Sequence, residues 1–251
     1  MARNVVMMTA VKVPGWEHRS APYRYGIDAF KKWCVKNDCE FFLLDELIHP
    51  HEEMKINFQR YYVFDLLEQS GIDYNQVCIT DADCIIHPDC PNFFELTDNK
   101  WTVTHCDGDY DWTIRSMENY AYEFDEFKQF DVFKYFNSGF QIVNESFREY
   151  YTELLQFYRD HQEKIIDVQK RYGVGTDQPI INHLCQKNNI DLNYLPYQFC
   201  MVDLIRKEIL DEDMFFTKIP GIYQFNAIPG NEENTDPTSY WMEKTYNYLE
   251  I

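Results

Sequence analysis

The sequence contains no apolar run long enough to cross a bilayer, because none reaches the roughly 18 residues that a membrane-spanning helix requires. Its first residues, MARNVVMMTAVKVPGW, lack both the longer apolar core and the small-residue cleavage site of a secretory signal peptide. We therefore predict a soluble protein without a transmembrane segment, located in the cytoplasm.

Positive charge is scarce as well. The chain carries 23 lysine and arginine residues against 42 aspartate and glutamate residues, which gives a net charge of -19. Such a surface repels the phosphate backbone of DNA and RNA, so we predict that the protein does not bind nucleic acid. An acidic chain can instead capture a divalent cation locally and use that cation to hold an anionic ligand.

Closely spaced cysteine pairs are missing. None of the eight cysteines forms a C-x-x-C motif, which argues against zinc-ribbon and thioredoxin-like sites. In a chain of 251 residues that is 45% hydrophobic, we expect buried thiols in a reducing compartment and no disulfide framework. The sequence also lacks internal repeats and low-complexity linkers, which favours one domain.

What the sequence does contain is an alternation of apolar runs with segments of helical periodicity. This alternation indicates an α/β domain with a mixed, mostly parallel sheet flanked by helices. The predicted strands are Val5–Thr9, Phe41–Leu44, Val77–Thr80, Cys84–Ile86, Trp101–His105, Phe140–Val143, Leu192–Leu195 and Ile222–Phe225. The predicted helices are Tyr23–Asn37, Ile56–Ser70, Phe147–His161, Asp177–Lys187 and Tyr240–Leu249, with Ser146 and Thr176 as caps of the third and fourth.

The segment ITDADCIIHPDC places two aspartates, Asp81 and Asp83, directly after an apolar strand. In an extended chain, alternate side chains point the same way, so the two carboxylates would face one side. Two carboxylates at close range repel each other unless a cation lies between them, and Mn²⁺ or Mg²⁺ prefers such oxygen ligands. The alternative is a pair of exposed turn residues. We favour that alternative for the D-x-D patterns in polar surroundings, at Asp107/Asp109, Asp109/Asp111 and Asp211/Asp213.

Three segments resemble a known family in their order along the chain. VCITDADCIIHPDCPNFFEL resembles the metal-binding segment of GT-A fold glycosyltransferases, which use nucleotide diphosphate sugars. YFNSGFQIVN resembles the FNAG strand of the glycogenin-like retaining family 8, and GTDQPIINHL resembles the DQ…N segment of the same family. Arg60, in NFQRYYVFDLL, matches a basic residue on the preceding helix. The resemblance extends from about residue 5 to about residue 230 and implies a Rossmann-like GT-A fold.

The resemblance also implies roles for individual positions. Asp81 and Asp83 would coordinate Mn²⁺ (or Mg²⁺) and, through it, the donor diphosphate. Asp177 would hold sugar hydroxyls and Gln178 would lie beneath the anomeric carbon, which makes these two the catalytic candidates. The other donor-binding positions would be Thr9, Ala10 and Val11 at the base and ribose, Arg60 and Ala82 near the donor, and Asn137, Ser138 and Gly139 beside the transferred sugar.

One position departs from the family. The family closes its metal site with a histidine in an HF-x-G-x-x-KPW-like segment, and the corresponding IYQFNAIPGN has Gln224 at that place and no KPW lysine. Gln224 is therefore the candidate third metal ligand, although an amide oxygen suits Mn²⁺ less well than imidazole. The alternatives are that His87, His105 or His183 substitutes, or that metal binding needs the nucleotide.

The expected function is metal-dependent transfer of a sugar, expected to be a hexose, from a nucleotide diphosphate sugar, with a UDP-sugar favoured and retention of anomeric configuration. The acceptor could be a glycan, a lipid or a protein, and the oligomeric state is open. Within a single domain of residues 1–251, the nucleotide-binding part would span about 1–105, the acceptor-binding part about 106–230 and a tail 231–251. The aromatic run at 109–127 could be an acceptor-binding loop or a packed lid.

Three alternatives remain open from the sequence. An inverting transferase on the same fold would need an acidic base, which Asp107, Asp109 or Asp111 could supply. A haloacid dehalogenase-type phosphohydrolase would use Asp81 as nucleophile, although such enzymes have Thr or Val where Cys84 follows here. A non-catalytic descendant would bind sugar or metal without turnover.

Overall fold

The structure, a computed structural model, describes residues 2–12, 20–106, 110–202, 204, 213–226, 228 and 235–251. In these residues the strands are β1 (Arg3–Thr9), β2 (Glu40–Leu44), β3 (Tyr74–Asp81), β4 (Cys84–Ile86), β5 (Thr102–His105), β6 (Phe136–Val143), β7 (Asn193–Leu195) and β8 (Ile222–Gln224). The α-helices are α1 (Tyr23–Lys36), α2 (Ile56–Gln59), α3 (Val63–Gln69), α4 (Tyr110–Glu123), α5 (Arg148–Tyr172), α6 (Asp177–Lys187) and α7 (Pro237–Tyr248). A turn of 3-10 helix at Arg60–Tyr62 joins α2 to α3.

The main sheet has six strands in the order β2-β1-β3-β6-β5-β7. Five of them run in one direction, and β6 alone pairs antiparallel with both of its neighbours. The predicted fold class is thereby confirmed, because this is a mixed, mostly parallel sheet flanked by helices in one α/β domain. The proposed division of the chain into nucleotide-binding and acceptor-binding parts stays a prediction.

Strand β1 shows why the sheet forms from this sequence. Its central residues are all buried, and their side chains alternate between two hydrophobic cores, with Val5 and Met7 in one and Val6 and Met8 in the other. A strand covered by helices on both faces needs such a continuous apolar run. The sheet therefore separates two cores.

A second, smaller sheet consists of β4 and β8, paired antiparallel with Cys84 opposite Gln224. β4 follows β3 after a two-residue turn, while β8 comes from much later in the chain. The pairing therefore brings Gln224 beside Asp83, which lies immediately before Cys84.

The structure corrects several details of the predicted elements. Helix α4 occupies most of the aromatic run predicted as a loop or lid, and its first described residue is Tyr110. Ser146 does not cap the next helix: the N-cap residue of α5 is Phe147, without a side-chain cap, and the Ser146 hydroxyl donates to Asn144 Oδ1. Thr176 makes no side-chain cap at α6.

Two expectations about composition can also be compared with the structure. All eight cysteines are described, and none of them forms a disulfide. Seven of the eight are buried. Among the described residues, no helix has the length and apolarity needed to cross a membrane. Location in the cytoplasm stays a prediction.

Candidate active site

The two aspartates lie where β3 ends at the carboxyl edge of the sheet. Asp81 is the last residue of β3 and pairs with Thr9, the last residue of the neighbouring β1. Ala82 and Asp83 form the turn that leads into β4. Gly26 of α1 packs on this turn, since a Cβ atom on Gly26 would lie 2.5 Å from the Cys84 carbonyl oxygen and 2.7 Å from that of Ala82. The backbone of α1 thus holds the turn in place.

A cleft of about 460 Å³ opens beside this turn. Ligands of open α/β sheets bind at this position, outside the carboxyl ends of the strands. The cleft-lining residues that the sequence predicted as donor-binding are Thr9, Val11, Arg60, Asp81, Ala82 and Asp83. Others that the sequence did not indicate include His51, Lys55, Asn57 and Thr176.

Arg60 is the counter-charge of Asp81. Its Nη1 lies 2.7 Å from Asp81 Oδ1 and also donates to the carbonyl oxygen of Ser138 at 3.3 Å, although the residue is only 7% exposed. Burial acts to lower the pKa of Arg60, but the charges of Asp81 and Asp177 outweigh it and raise that pKa. Arg60 Nε is buried without a hydrogen-bond partner among the described atoms. The guanidinium is therefore a fixed positive charge in the cleft wall.

A chain of hydrogen bonds fixes the orientation of the Gln224 amide. The backbone N–H of Gly139, which can act only as a donor, donates to Asn137 Oδ1 at 2.9 Å. Asn137 Nδ2 must then be the donor to Gln224 Oε1, at 2.8 Å. Gln224 Nε2 consequently faces the aspartate pair, 3.0 Å from Asp81 Oδ2 and 3.4 Å from Asp83 Oδ1. Amide orientations follow from such networks, and here each link leads from an unambiguous donor.

The same contacts show that the two carboxylates converge. Both lie within reach of a single amide nitrogen, as the sequence predicted from their spacing, although Asp83 lies in a turn and not in an extended strand. The pKa of Asp83 is raised to about 7, mainly by desolvation and secondly by the negative charge of Asp81. This is the expected behaviour of two like charges held together.

Position 139 requires a glycine because its backbone passes close to the side chain of Asp81. A Cβ atom on Gly139 would overlap Asp81 Oδ2 and lie 3.1 Å from Gln224 Nε2. The glycine predicted to border the transferred sugar thus also allows the backbone of β6 to pass directly beside Asp81.

Asp177 and Gln178 begin helix α6 beside the cleft. Asp177 is buried, and its two oxygens accept hydrogen bonds from Tyr61 OH at 2.9 Å and from Asn57 Nδ2 at 3.2 Å. Gln178 Oε1 accepts from the backbone N of Ser138 at 3.0 Å and from its hydroxyl at 3.3 Å. Asp177 reaches the cleft through Asn57, which lines it.

The remaining predicted donor-binding and catalytic residues are not among those that line the cleft in the described structure. Most of them are buried next to it and contact residues that do line it. They are Ala10, Asn137, Ser138, Gly139, Asp177, Gln178 and Gln224. Their roles toward a donor stay predictions.

One helix face in the sequence carries a signal for part of the site. Asn57, Arg60 and Tyr61 are spaced i, i+3 and i+4, which places them on one face of a helix. Two of them bind Asp177 and the third binds Asp81, so this face joins the two acidic positions. Lys55 precedes the helix as its N-cap residue, and nothing in its sequence context marks it.

The three alternative histidines lie in other contacts. His183 stacks on Phe127 and its Nε2 donates to the carbonyl oxygen of Met117. His105 stacks on Tyr194, and His87 Nδ1 accepts from the backbone N of Asp89. Within the described residues, no group of three or more His, Cys, Asp or Glu side chains is placed to hold a metal ion.

The predicted three-ligand metal site does not fit the side chains as they are arranged. A hard cation such as Mn²⁺ or Mg²⁺ needs oxygen ligands. Gln224 presents its amide nitrogen to the pair, and Arg60 already binds Asp81 Oδ1. Asp81 and Asp83 are thus the two oxygen ligands left of the predicted set, and a requirement for Mn²⁺ or Mg²⁺ stays a prediction.

Solved structures with the same architecture were found. A glycosyltransferase involved in the glycosylation of the major capsid of PBCV-1 superposes with a TM-score of 0.56 at 8% identity, over 98% of this chain and 99% of that one. The chain therefore shares its fold with glycosyltransferases. Mouse xyloside xylosyltransferase 1 matches at TM-score 0.52 and 13% identity, over 92% of this chain and 100% of that one.

The bifunctional glycosyltransferase WbbM matches at TM-score 0.51 and 12% identity, over all of this chain but 52% of its own, so this chain spans about half its length. No model of a known protein family matches the sequence. No curated protein matches it either. The identities are too low to show more than a common fold, and membership of the glycogenin-like family 8 stays a prediction.

Proposed function

We propose that this protein is a glycosyltransferase that moves a sugar from a nucleoside diphosphate sugar, with a UDP-sugar favoured, to a hydroxyl group of a glycan, lipid or protein. The observation that carries the proposal is the cleft at the carboxyl edge of β1 and β3. There an aspartate pair, a buried arginine and a lysine line one cavity, in a fold shared with glycosyltransferases. The two sugar-transferring proteins with TM-scores above 0.5 over more than nine-tenths of both chains support the same reaction class.

The chemistry of transfer assigns work to residues of the cleft. The bond between the anomeric carbon and the phosphate oxygen breaks, and its electron pair leaves with the nucleoside diphosphate. Arg60, fixed and buried, would offset the charge that develops on that leaving group. Asn57, backed by Asp177, would orient hydroxyls of the sugar, and Thr9 and Val11 would line the nucleoside end.

Retention by a front-side route is the favoured stereochemical course. Among the described residues, the carboxylates that line the cleft are Asp81 and Asp83 alone. Both are taken up by Arg60 or Gln224, so neither is a good nucleophile for a covalent intermediate. The acceptor oxygen would then attack on the side of the leaving group, and its proton would pass to the departing phosphate oxygen.

An inverting course would need a carboxylate as general base on the opposite side of the sugar. Asp107 and Asp109, two of the predicted candidates, lie outside the described residues. Asp111 forms an ion pair with Arg115 at 2.8 Å on α4.

The test begins with a thermal-shift screen of nucleotides and nucleotide sugars, with and without MnCl₂. We expect one class of nucleoside diphosphate to stabilise the protein. The matching sugar donor should be hydrolysed slowly, which chromatography of the products would detect. Nuclear magnetic resonance of the released or transferred sugar then gives its anomeric configuration. Absence of stabilisation by every nucleotide sugar, in either buffer, would contradict the proposal.

A phosphatase assay and the donor assay together separate the other candidate functions. Hydrolysis of an aryl phosphate that disappears in Asp81→Asn would favour the phosphohydrolase. Donor binding without any hydrolysis or transfer would favour a non-catalytic binding protein.

A further inference from the structure

In place of the predicted requirement for Mn²⁺ or Mg²⁺, we propose that Lys55 holds the diphosphate of the donor in the cleft that it lines together with Arg60. Binding would then not depend on a divalent ion between Asp81 and Asp83. The identity of the ligand as a nucleoside diphosphate rests on the proposed function. The electrostatic arrangement does not, because it follows from contacts within the protein.

The first step concerns the orientation of Gln224. To offer its oxygen to a metal, the Gln224 amide would have to turn over, which would place its NH₂ group against the NH₂ group of Asn137. Turning Asn137 as well would place an NH₂ group against the backbone N–H of Gly139. Asn137 and Gln224 are both buried, at 4% and 3% exposure, so water cannot replace the lost bonds. The network therefore commits Gln224 to donate to the aspartates.

The second step concerns the charge of the pair. Arg60 supplies one positive charge at 2.7 Å from Asp81, and the Gln224 amide donates to both carboxylates. These groups provide what a cation would otherwise provide, namely a positive partner for one carboxylate and N–H donors for both. The pair is thus stabilised within the protein itself.

The third step concerns Lys55, which lines the same cleft. In the described part of the chain its ammonium group contacts His51 Nε2 at 3.4 Å and forms no ion pair with a carboxylate. Other lysines of this acidic chain do find an acidic neighbour, as Lys32 does in Asp28. A cation facing a cavity without such a neighbour attracts an anion, and phosphate oxygens are suitable acceptors.

The experiment is calorimetric titration of UDP and GDP in buffer with EDTA and in buffer with MnCl₂, with inorganic pyrophosphate as a third probe in EDTA. The proteins are wild type, Lys55→Met, Gln224→His and, as matched control, Lys128→Met. Lys128 is exposed and pairs with Asp125 at 2.6 Å on the protein surface. Circular dichroism of each variant verifies folding.

We expect one nucleoside diphosphate to bind wild type in EDTA with an affinity within about threefold of that in MnCl₂. Lys55→Met should weaken this binding about tenfold, the equivalent of about 1.4 kcal/mol for a charged phosphate contact, and Lys128→Met should not. Gln224→His adds an imidazole ligand beside two carboxylates, so Mn²⁺ should now strengthen binding about tenfold.

Wild-type binding that is lost in EDTA and restored by MnCl₂, or binding that Lys55→Met leaves unchanged, would overturn the inference. Either result leaves the proposed function standing. Pyrophosphate binding that requires Lys55, without binding of either nucleotide, would keep the anion site and remove the proposed nucleotide donor. Failure of pyrophosphate and both nucleotides to bind in EDTA would also overturn the inference.

Discussion

Gly139 is the residue on which the geometry of the aspartate pair depends most directly. In Gly139→Ala the new Cβ would overlap Asp81 Oδ2, and Asp81 cannot retreat freely because Arg60 and Gln224 hold its two oxygens. We expect a loss of about 1–3 kcal/mol of unfolding free energy, as for other overpacked sites, together with loss of nucleotide binding. Urea unfolding and calorimetry would measure the two effects.

Gly71→Ala is the control for this substitution. Gly71 has a φ of +67°, and a Cβ atom added there would have no neighbour within 4 Å, so alanine meets backbone strain but no steric overlap. It should destabilise the fold by about 1–2 kcal/mol and leave nucleotide binding intact. If Gly139→Ala bound the nucleotide as tightly as wild type does, the close approach of residue 139 to Asp81 would be unimportant for binding.

His183 gives a pH dependence whose sign follows from burial. The ring stacks on Phe127 with centroids 4.5 Å apart, and desolvation lowers the pKa of His183 from 6.5 to about 4. Between these values the unfolded chain binds the proton and the folded chain does not, so His183 favours unfolding increasingly as the pH falls from about 6.5 to about 4. The effect reaches about 3 kcal/mol at the lower end.

The measurement compares urea unfolding of wild type and His183→Gln at pH 7, 5.5 and 4.5. All other titrating groups are common to both proteins, so the difference in their unfolding free energies isolates His183. The variant should be less stable than wild type at pH 7, and the gap should narrow as the pH falls. A gap that stays constant over this range would mean that His183 is not buried in its neutral form.

At the scale of single elements, the buried Asn182 joins the middle of α6 to the start of β6, next to the bonds between Gln178 and Ser138. Asn182 Oδ1 accepts from the backbone N of Phe136 at 2.9 Å, and its Nδ2 donates to the carbonyl oxygens of Phe136 at 3.0 Å and Gln178 at 2.9 Å. Asn182→Leu would leave both Phe136 backbone groups buried without this partner. We expect a loss of about 2–4 kcal/mol in unfolding free energy, because each such group costs about 1–3 kcal/mol.

Asn188→Ala is the control, since Asn188, the C-cap residue directly after α6, is partly exposed and its Nδ2 donates to Glu153. Its loss should stay below about 1 kcal/mol. Equal losses in the two variants, measured by urea unfolding, would contradict the role given to Asn182. Because Asn182 also binds the Gln178 carbonyl, Asn182→Leu should weaken nucleotide binding as well.

Elements with a clear apolar pattern could be predicted from the sequence, and α4 could not. The predicted strands all overlap observed ones, and Asp177–Lys187 is the observed α6. The buried face of α4 includes Thr113 and Ser116, so polar residues interrupt its apolar period. The reversed direction of β6 and the pairing of β4 with β8 depend on contacts distant in sequence. For the same reason the sequence could propose Gln224 beside the aspartates only through a resemblance.

Some features of the candidate site could likewise be predicted from the sequence, and others could not. Asp81 and Asp83 follow a strong strand signal, and their convergence was predictable from it. The orientation of the Gln224 amide was not, because it depends on a hydrogen bond from the backbone of Gly139 to Asn137. Lys55 could not be predicted either. What distinguishes it is that its ammonium group lines the cleft and forms no ion pair with a carboxylate in the described structure, and the sequence does not show this.

At the scale of the whole molecule, the sheet separates two cores and leaves its carboxyl edge open. β1 sends alternate residues into each core, so both faces are occupied and the strand ends are the places where polar groups can gather. Such a strand pattern requires apolar residues but not particular ones, which agrees with solved structures that share the architecture at 8% to 13% identity.

The net charge of -19 should make the stability of the whole molecule depend on salt. Repulsion among surface carboxylates opposes the compact state, and salt screens it. Raising NaCl from about 20 to about 300 mM should increase the melting temperature by about 2–4 °C, the equivalent of about 1 kcal/mol. Replacing the exposed Glu46 and Glu52 with glutamine should reduce this rise, measured by scanning calorimetry. A fall in melting temperature with salt would mean that attractive ion pairs, such as those of Arg148 with Asp65, Glu68 and Glu145, outweigh the repulsion.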